Sequence, residues 1–326
     1  TNEEKIGKVI RGGEIRSNIT ATTRNKDPKL PTLTEKDIRF IEFSIENDLE
    51  YLALSFVRNK EDVQNLKNVL KEYGKEDMEV ISKIETRFAI KNLEEVIKAS
   101  DAVIIARGDL GMYFNLSYIP VIQKEIAQTC LKHGKPSILA TQILESMIKN
   151  PVPTRSEISD IYYGVQEGVD AMMLSGETAI GAYPVEAVKW LKEAIIEAEK
   201  HIEPPRMTEE IDSIYDKFAL GTILLAESIN AKILAYTKQG MTAKRLARFR
   251  PKTLVYTTTN NKKVARKINL LWGINPFTVK EETTEKALEQ GKNTLIRKQV
   301  IKKGDIIVKT SGLRHQATDR LEIEII

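Results

Sequence analysis

Apolar positions along this chain recur in two rhythms, and the switch between them marks out its elements. Short apolar runs, read as buried strands, fall at 51–56, 80–84, 102–106, 137–140 and 171–174. Between them lie stretches with a helical period at 61–73, 92–100 and 121–133. Thr34 with Asp37, and Thr154 with Glu157, have the spacing of capping boxes; they predict one helix ending near 47 and another stopping at Gly168. A further long helix is expected over 184–202. Strands that alternate with helices in this way indicate parallel βα units. Period alone leaves two closures open, a doubly wound sheet and a barrel.

After Pro204-Pro205 the pattern restarts, which places a domain boundary there. Helices are expected over 214–230, 242–249, 262–270 and 284–299. Strands are expected over 232–237, 253–257, 276–279, 305–309 and 321–326. Ahead of all this, residues 5–19 read as a hairpin turning at Gly12-Gly13, and 20–31 as a polar crossing.

The polar residues at the strand ends decide between the closures. The first strand ends in Ser55-Phe56, the second in Lys83-Ile84-Glu85 and the third in Arg107-Gly108-Asp109. The fourth ends in Thr141-Gln142 and the fifth in Ser175-Gly176-Glu177. Parallel strands deliver all five clusters to one rim, where barrels carry their sites. An open sheet would concentrate them at one switch point. Polar ends on every strand therefore favour the barrel. Two carboxylates, Glu85 and Asp109, suit a hard divalent ion that completes its shell with water and substrate oxygens. Lys83 leaves the strand on the same face as Glu85 and can neutralise a second anion. Gly108 allows close backbone approach, and amides after it could face an anion. Together these describe a site for a small phosphorylated carboxylate. Taken singly, each residue reads as a solvated loop residue or a cap; agreement across successive strands outweighs that reading.

Composition narrows the class without naming a substrate. The 326 residues are 41% hydrophobic and 29% charged, enough for two ordinary globular domains. A net charge of +4, with basic and acidic residues intermixed, gives no footprint for nucleic acid or an anionic membrane. The single cysteine, Cys130, excludes an internal disulfide, fits a reducing cytoplasm and reads as an inert buried thiol. No apolar run is long enough to span a bilayer, and no signal peptide is visible. The opening Thr1-Asn2-Glu3-Glu4-Lys5 looks like the interior of a longer polypeptide.

Five segments resemble the pyruvate kinase family. They are Leu30-Pro31-Thr32-Leu33-Thr34-Glu35-Lys36-Asp37, Leu54-Ser55-Phe56-Val57-Arg58, Ile81-Ser82-Lys83-Ile84-Glu85, Ala106-Arg107-Gly108-Asp109-Leu110-Gly111, and a long run from Gly134 to Glu157. That run contains Ala140-Thr141-Gln142-Ile143-Leu144-Glu145-Ser146-Met147 and Pro153-Thr154-Arg155; Met173-Leu174-Ser175-Gly176-Glu177-Thr178-Ala179 comes after it. The resemblance implies an α/β chain: the C-terminal part of a (β/α)8 TIM barrel and a separate C-terminal α/β domain, with a short remnant of a β lid. The implied division is 1–29 for the lid end, 30–204 for barrel strands four to eight and 205–326 for the C-terminal domain. The family's first three barrel strands have no counterpart here. They carry an Asn-Phe-Ser-His-type motif and phosphate-binding arginines, so this chain is expected to be part of a longer protein and inactive alone.

The implied reaction moves a phosphoryl group from phosphoenolpyruvate to ADP, giving pyruvate and ATP. By resemblance, Glu85 and Asp109 bind Mg²⁺ or Mn²⁺, and Lys83 stabilises the phosphoryl group in flight. Gly108 and Asp109 amides with the Thr141 hydroxyl hold the substrate carboxylate, and Thr141 and Ser175 serve the relay that protonates the enolate. K⁺ is a further candidate ion. None of His133, His201 and His315 falls in a matching motif. Thr237-Lys238-Gln239-Gly240-Met241-Thr242 resembles the family's effector loop, although Gln239 and Met241 depart from its usual hydroxyl-rich, basic form. Thr237, Lys238 and Thr242 are its candidate contacts for a sugar-phosphate or nucleotide effector. The resemblance also implies a homotetramer, with Arg155 in a motif found near subunit contacts.

Two other functions compete with this one. A phosphoenolpyruvate or pyruvate lyase on the same barrel would share the acid pair but lack the C-terminal domain and Thr141-Gln142. A non-catalytic effector or assembly module would have no reason to keep Lys83, Glu85, Asp109 and Thr141 together.

Overall fold

The structure is a computed structural model, describing residues 31–207, 211, 213–281, 283–312 and 318–326, with 8, 9, 12–14 and 17 nearer the start. The hairpin expected over 5–19, the crossing expected over 20–31 and His315 lie largely or wholly outside these residues. The chain divides into two compact units, 1–30 and 31–326. Every described helix and strand belongs to the second unit.

The first half of that unit runs α1 (Glu35–Glu46), β1 (Tyr51–Leu54), α2 (Lys60–Glu72), β2 (Glu79–Ile84), α3 (Arg87–Lys91), α4 (Leu93–Ala99), β3 (Ala102–Ala106), α5 (Arg107–Tyr113), α6 (Ile119–Lys132), β4 (Ser137–Ala140), α7 (Arg155–Gln166), β5 (Ala171–Met173), α8 (Gly176–Ala179) and α9 (Pro184–His201). Both capping boxes form. Thr34 and Thr154 accept from the amides of Asp37 and Glu157, whose carboxylates accept from the cap amides in return. The stretch expected as one helix over 92–100 comes after a separate short helix, α3, with Asn92 at the junction; Thr86 caps α3 through the Ala89 amide.

The five strands are parallel and lie in chain order, β1-β2-β3-β4-β5. Winding in one direction, with right-handed crossovers, sends every helix to the same face and leaves no switch point. The doubly wound alternative is thereby excluded. Val80, Ile84, Val103, Ile105 and Leu139 face the helices in the large core, with Leu66, Ile97, Ile122 and Ile126. Alternate residues Ile81, Ala102, Ile104, Ala106, Ile138 and Ala140 form a second, smaller cluster. Lys83, two residues beyond Ile81, belongs to that second face.

The second half runs α10 (Ile214–Ser228), β6 (Lys232–Tyr236), α11 (Met241–Arg248), β7 (Val255–Thr259), α12 (Lys262–Ile268), β8 (Ile274–Thr278), α13 (Thr284–Arg297), β9 (Ile306–Ser311) and β10 (Arg320–Ile325). Its sheet order is β10-β9-β6-β7-β8, parallel except for the β9–β10 pair. Two cores flank this sheet. One gathers Ile223, Ile233, Leu246 and Phe249, the other Leu234, Leu288, Leu295 and Ile307.

Among the described residues, the halves are joined by a buried ion pair and a band of half-buried and exposed ones. Arg250, at φ 47°, donates to Asp170 at 2.6 Å and to the Gly168 carbonyl at 2.8 Å, and its guanidinium lies over the Trp272 ring. Asp170, just ahead of β5, also accepts from the amides of Ser137 and Trp272. Around this pin, Lys244, Lys263, Arg266 and Lys267 on α11 and α12 pair with Asp48, Glu50, Asp77 and Glu79 of the first half. Cys130 is buried and burial pushes its thiol pKa up, as an inert core residue requires.

Candidate active site

The rim at the C-terminal ends of β1 to β5 collects the residues singled out from the sequence. Beyond β1 the chain turns sharply at Phe56, whose φ of 56° aims its amide at Glu85. That amide donates to Glu85 Oε1 at 2.6 Å. Thr86, the next residue, donates to the Val57 carbonyl at 2.8 Å and so fixes the start of the turn after β2. Glu85 is only 1% exposed. Its Oε2 has Lys83 Nζ at 2.8 Å but no hydrogen bond of good geometry. Lys83 also donates to Ser55 Oγ at 3.3 Å.

Asp109 sits in the first turn of α5. Burial pushes the Glu85 carboxyl above its ordinary value, Lys83 and the Phe56 amide pull it down, and the Asp109 charge adds to the rise. The two acids therefore sense one another across neighbouring strand ends. Burial and both carboxylates likewise raise the phenol of Tyr113, at the far end of α5. The sequence gives no sign of Tyr113, because a seven-residue helix straight after a strand shows no period.

At the end of β4, Thr141 and Gln142 have φ of 68° and 53°. Such left-handed backbone costs about 1–3 kcal/mol per non-glycine residue, most for a β-branched one. The Gly108 amide donates to Thr141 Oγ1 at 2.9 Å. A Cβ at Gly108 would stand 3.3 Å from that oxygen, so glycine here admits Thr141 closely. The Gly108 N–H is thus engaged by Thr141, and the Thr141 hydrogen is left to point elsewhere. Arg107, 8% exposed, donates to the carbonyls of both left-handed residues at 2.8 and 2.9 Å. Hydrogen bonds from a charged donor are worth roughly 1.5–3 kcal/mol each, enough to offset the strain. Ser175 stands at the start of α8, and its amide donates to Glu177 Oε2 at 2.8 Å. Glu177 Oε1 accepts from the Leu144 amide at 3.0 Å, which ties the ends of β4 and β5 together.

The rim thus holds two carboxylates, an ammonium and a hydroxyl already oriented by an amide. The pyruvate kinase barrel domain model matches residues 2–188, and the pyruvate kinase alpha/beta domain model matches residues 216–324. The chain belongs to the pyruvate kinase family. The pyruvate kinase of Methanocaldococcus jannaschii is 37% identical over 99% of this chain and 74% of its own length. That of Pyrobaculum aerophilum is 37% identical over 86% of this chain and 60% of its own. The Thermotoga maritima pyruvate kinase is 37% identical over 96% and 68%. The family consists of phosphotransferases that carry the phosphoryl group of phosphoenolpyruvate to ADP, leaving pyruvate, in glycolysis.

Other candidates fall away from this rim. His133 and His201 face Glu94 and Glu197 on helix surfaces. In the loop over 237–242, Thr237 is buried and accepts from the Gly240 amide at 2.9 Å; Thr242 is buried and accepts from Thr318 at 3.3 Å. Lys238 is exposed beside them. Gly240, at φ 89°, precedes α11 directly.

Proposed function

We propose that this rim binds Mg²⁺ or Mn²⁺ through Glu85 and Asp109 and holds phosphoenolpyruvate while its phosphoryl group passes to ADP. The observation that carries the reading is Glu85. It is a carboxylate almost fully buried, with one oxygen bound to the Phe56 amide, the other facing Lys83, and a second acid close enough to raise its pKa. Burying a carboxylate beside a second acid is costly unless cations balance the two charges. Oxygen donors of this kind fit a hard divalent ion. When bound, the ion would neutralise charge on the substrate oxygens.

The chain's own groups do the rest. Lys83 donates to the phosphoryl oxygens as negative charge spreads over them. Thr141, its oxygen already accepting from Gly108, donates its hydrogen to the substrate carboxylate, with the Asp109 amide alongside. Thr141 and Ser175 serve the relay that brings a proton to the enolate carbon. K⁺, a homotetrameric assembly and a cytoplasmic setting are proposed from the family. Among the described residues no helix is long and apolar enough to cross a membrane. The proposed division stays at 1–29, 30–204 and 205–326; the separate sheets on either side of Pro204-Pro205 support the second boundary.

Titration of Mn²⁺ by electron paramagnetic resonance checks the metal pair. Glu85→Gln is expected to weaken Mn²⁺ binding by about 100-fold or more, because loss even of groups that only support a ligand costs roughly 10–100-fold. Unchanged Mn²⁺ affinity would remove the assignment. Since the Glu85 carboxyl lies above its ordinary value, protons should displace Mn²⁺ as the pH falls at a higher pH than for an ordinary glutamate.

The second half is proposed to take an effector phosphate at Lys238 and the first amides of α11, with Thr237 and Thr242 shaping the turn. Crystals soaked in fructose bisphosphate should show density against Lys238; an empty loop at saturating ligand counts against the site.

A further inference from the structure

Two consecutive left-handed residues just past the end of β4 are an unusual burden for a chain of L-amino acids. Thr141 and Gln142 adopt φ of 68° and 53°, and neither is a glycine. Residues hold such backbone only where their surroundings over-determine it. The restraint comes from the neighbouring strand. Arg107 Nη2 donates to Thr141 O and to Gln142 O, at 2.8 and 2.9 Å. Its Nη1 reaches Gln123 Oε1 on α6 at 3.3 Å and is bonded to Asp160 on α7. Gln123 is held in turn by Glu167 at 2.7 Å.

Two adjacent residues therefore grip Thr141 from opposite ends. The Arg107 side chain takes its backbone, and the Gly108 backbone takes its side chain. Only a planar fork spans two carbonyls and an acid at once; a lysine ammonium on a flexible stem does not. The other partners of the guanidinium lie on helices outside the sheet.

We propose that Arg107 is a positioning residue: it holds Thr141 and Gln142 in the left-handed turn that presents the Thr141 hydroxyl to the substrate carboxylate. This rests on the role given to Thr141 above.

The test is a double-mutant cycle in the full-length enzyme, using Arg107→Lys, Thr141→Val and both together, with steady-state kinetics for phosphoenolpyruvate and ADP separately. Arg107→Lys is expected to raise the KM for phosphoenolpyruvate about tenfold while that for ADP moves less than about twofold. In the Thr141→Val background the same change should add less than about twofold, because its target hydroxyl is already gone. An equal loss in both backgrounds would mean that Arg107 only supports the fold, and would overturn the proposal. Damage by Thr141→Val with a kinetically normal Arg107→Lys enzyme overturns it alone. A Thr141→Val enzyme with unchanged KM overturns the role of Thr141 and this inference with it. Should Arg107→Lys fail to fold, Asp160→Asn loosens only the far end of the guanidinium. It is expected to raise the same KM to a smaller degree, and no rise at all would count against the proposal.

Discussion

Replacing Lys83 with Met is expected to lower turnover by about 10³-fold or more while the fold survives, because one preorganised donor aimed at developing charge contributes on that scale. The lysine is 26% exposed and makes a 2.8 Å contact with Glu85 and a 3.3 Å bond to Ser55. No core packing depends on its head group, so circular dichroism should keep its native form, while the melting temperature falls because Glu85 loses its partner. Losing the ammonium also removes the cation opposite Glu85, which pushes that carboxyl further up and lets protons compete better for the metal position. The rate deficit should therefore deepen toward low pH. Pyruvate formation with ADP, measured in the full-length protein, checks it; a near-normal rate in Lys83→Met would refute the role given to Lys83. Lys83→Arg, which keeps charge but shifts its place, should recover little.

The second large effect is on stability. Arg250→Met should destabilise the protein by about 3–5 kcal/mol, the usual result of stranding one partner of a buried ion pair. The pair is almost wholly enclosed, with side chains 3% and 1% exposed. Burial already raises the Asp170 carboxyl, against the pull of Arg250 and two amides. Without the guanidinium it rises further. A carboxyl with a raised folded-state pKa binds more protons folded than unfolded, so the deficit should shrink as pH falls through that raised value. Urea unfolding at neutral and acid pH measures both parts. A variant as stable as the parent, or a deficit that grows on acidification, would show that Asp170 is not a stranded charge.

The sequence carried much of this architecture. Five apolar runs became β1 to β5 with small shifts at their ends, since alternating strand and helix periods need only local information. Thr34 and Thr154 announced their helices because a capping box is complete within four residues. Lys83, Glu85, Asp109 and Thr141 could be named because a parallel sheet delivers every strand end to one side. The features that stayed hidden depend on contacts between distant residues or on unusual backbone. Helix α5 is too short to show a period, which conceals Tyr113. The left-handed turns at Phe56, Thr141 and Gln142 have no local signature, since none is glycine. Arg250 and Asp170 are far apart in the chain, and nothing in either neighbourhood announces the other. Thr237 and Thr242 are named from the resemblance of their loop, and the bonds their oxygens accept from Gly240 and from the distant Thr318 cannot be read there.

The junction between the halves combines fastenings of two kinds. Exposed pairs such as Arg266 with Asp48, 50% and 62% exposed, weaken as ions screen them over roughly 10 Å at moderate salt. The enclosed Arg250 contact is nearly blind to added salt. Rising ionic strength should therefore slacken the periphery first while the centre keeps its grip, giving the second half a pivot about Trp272 rather than a release. Salt concentration becomes a dial for the freedom of α11 and α12 against the strands that carry the chemistry.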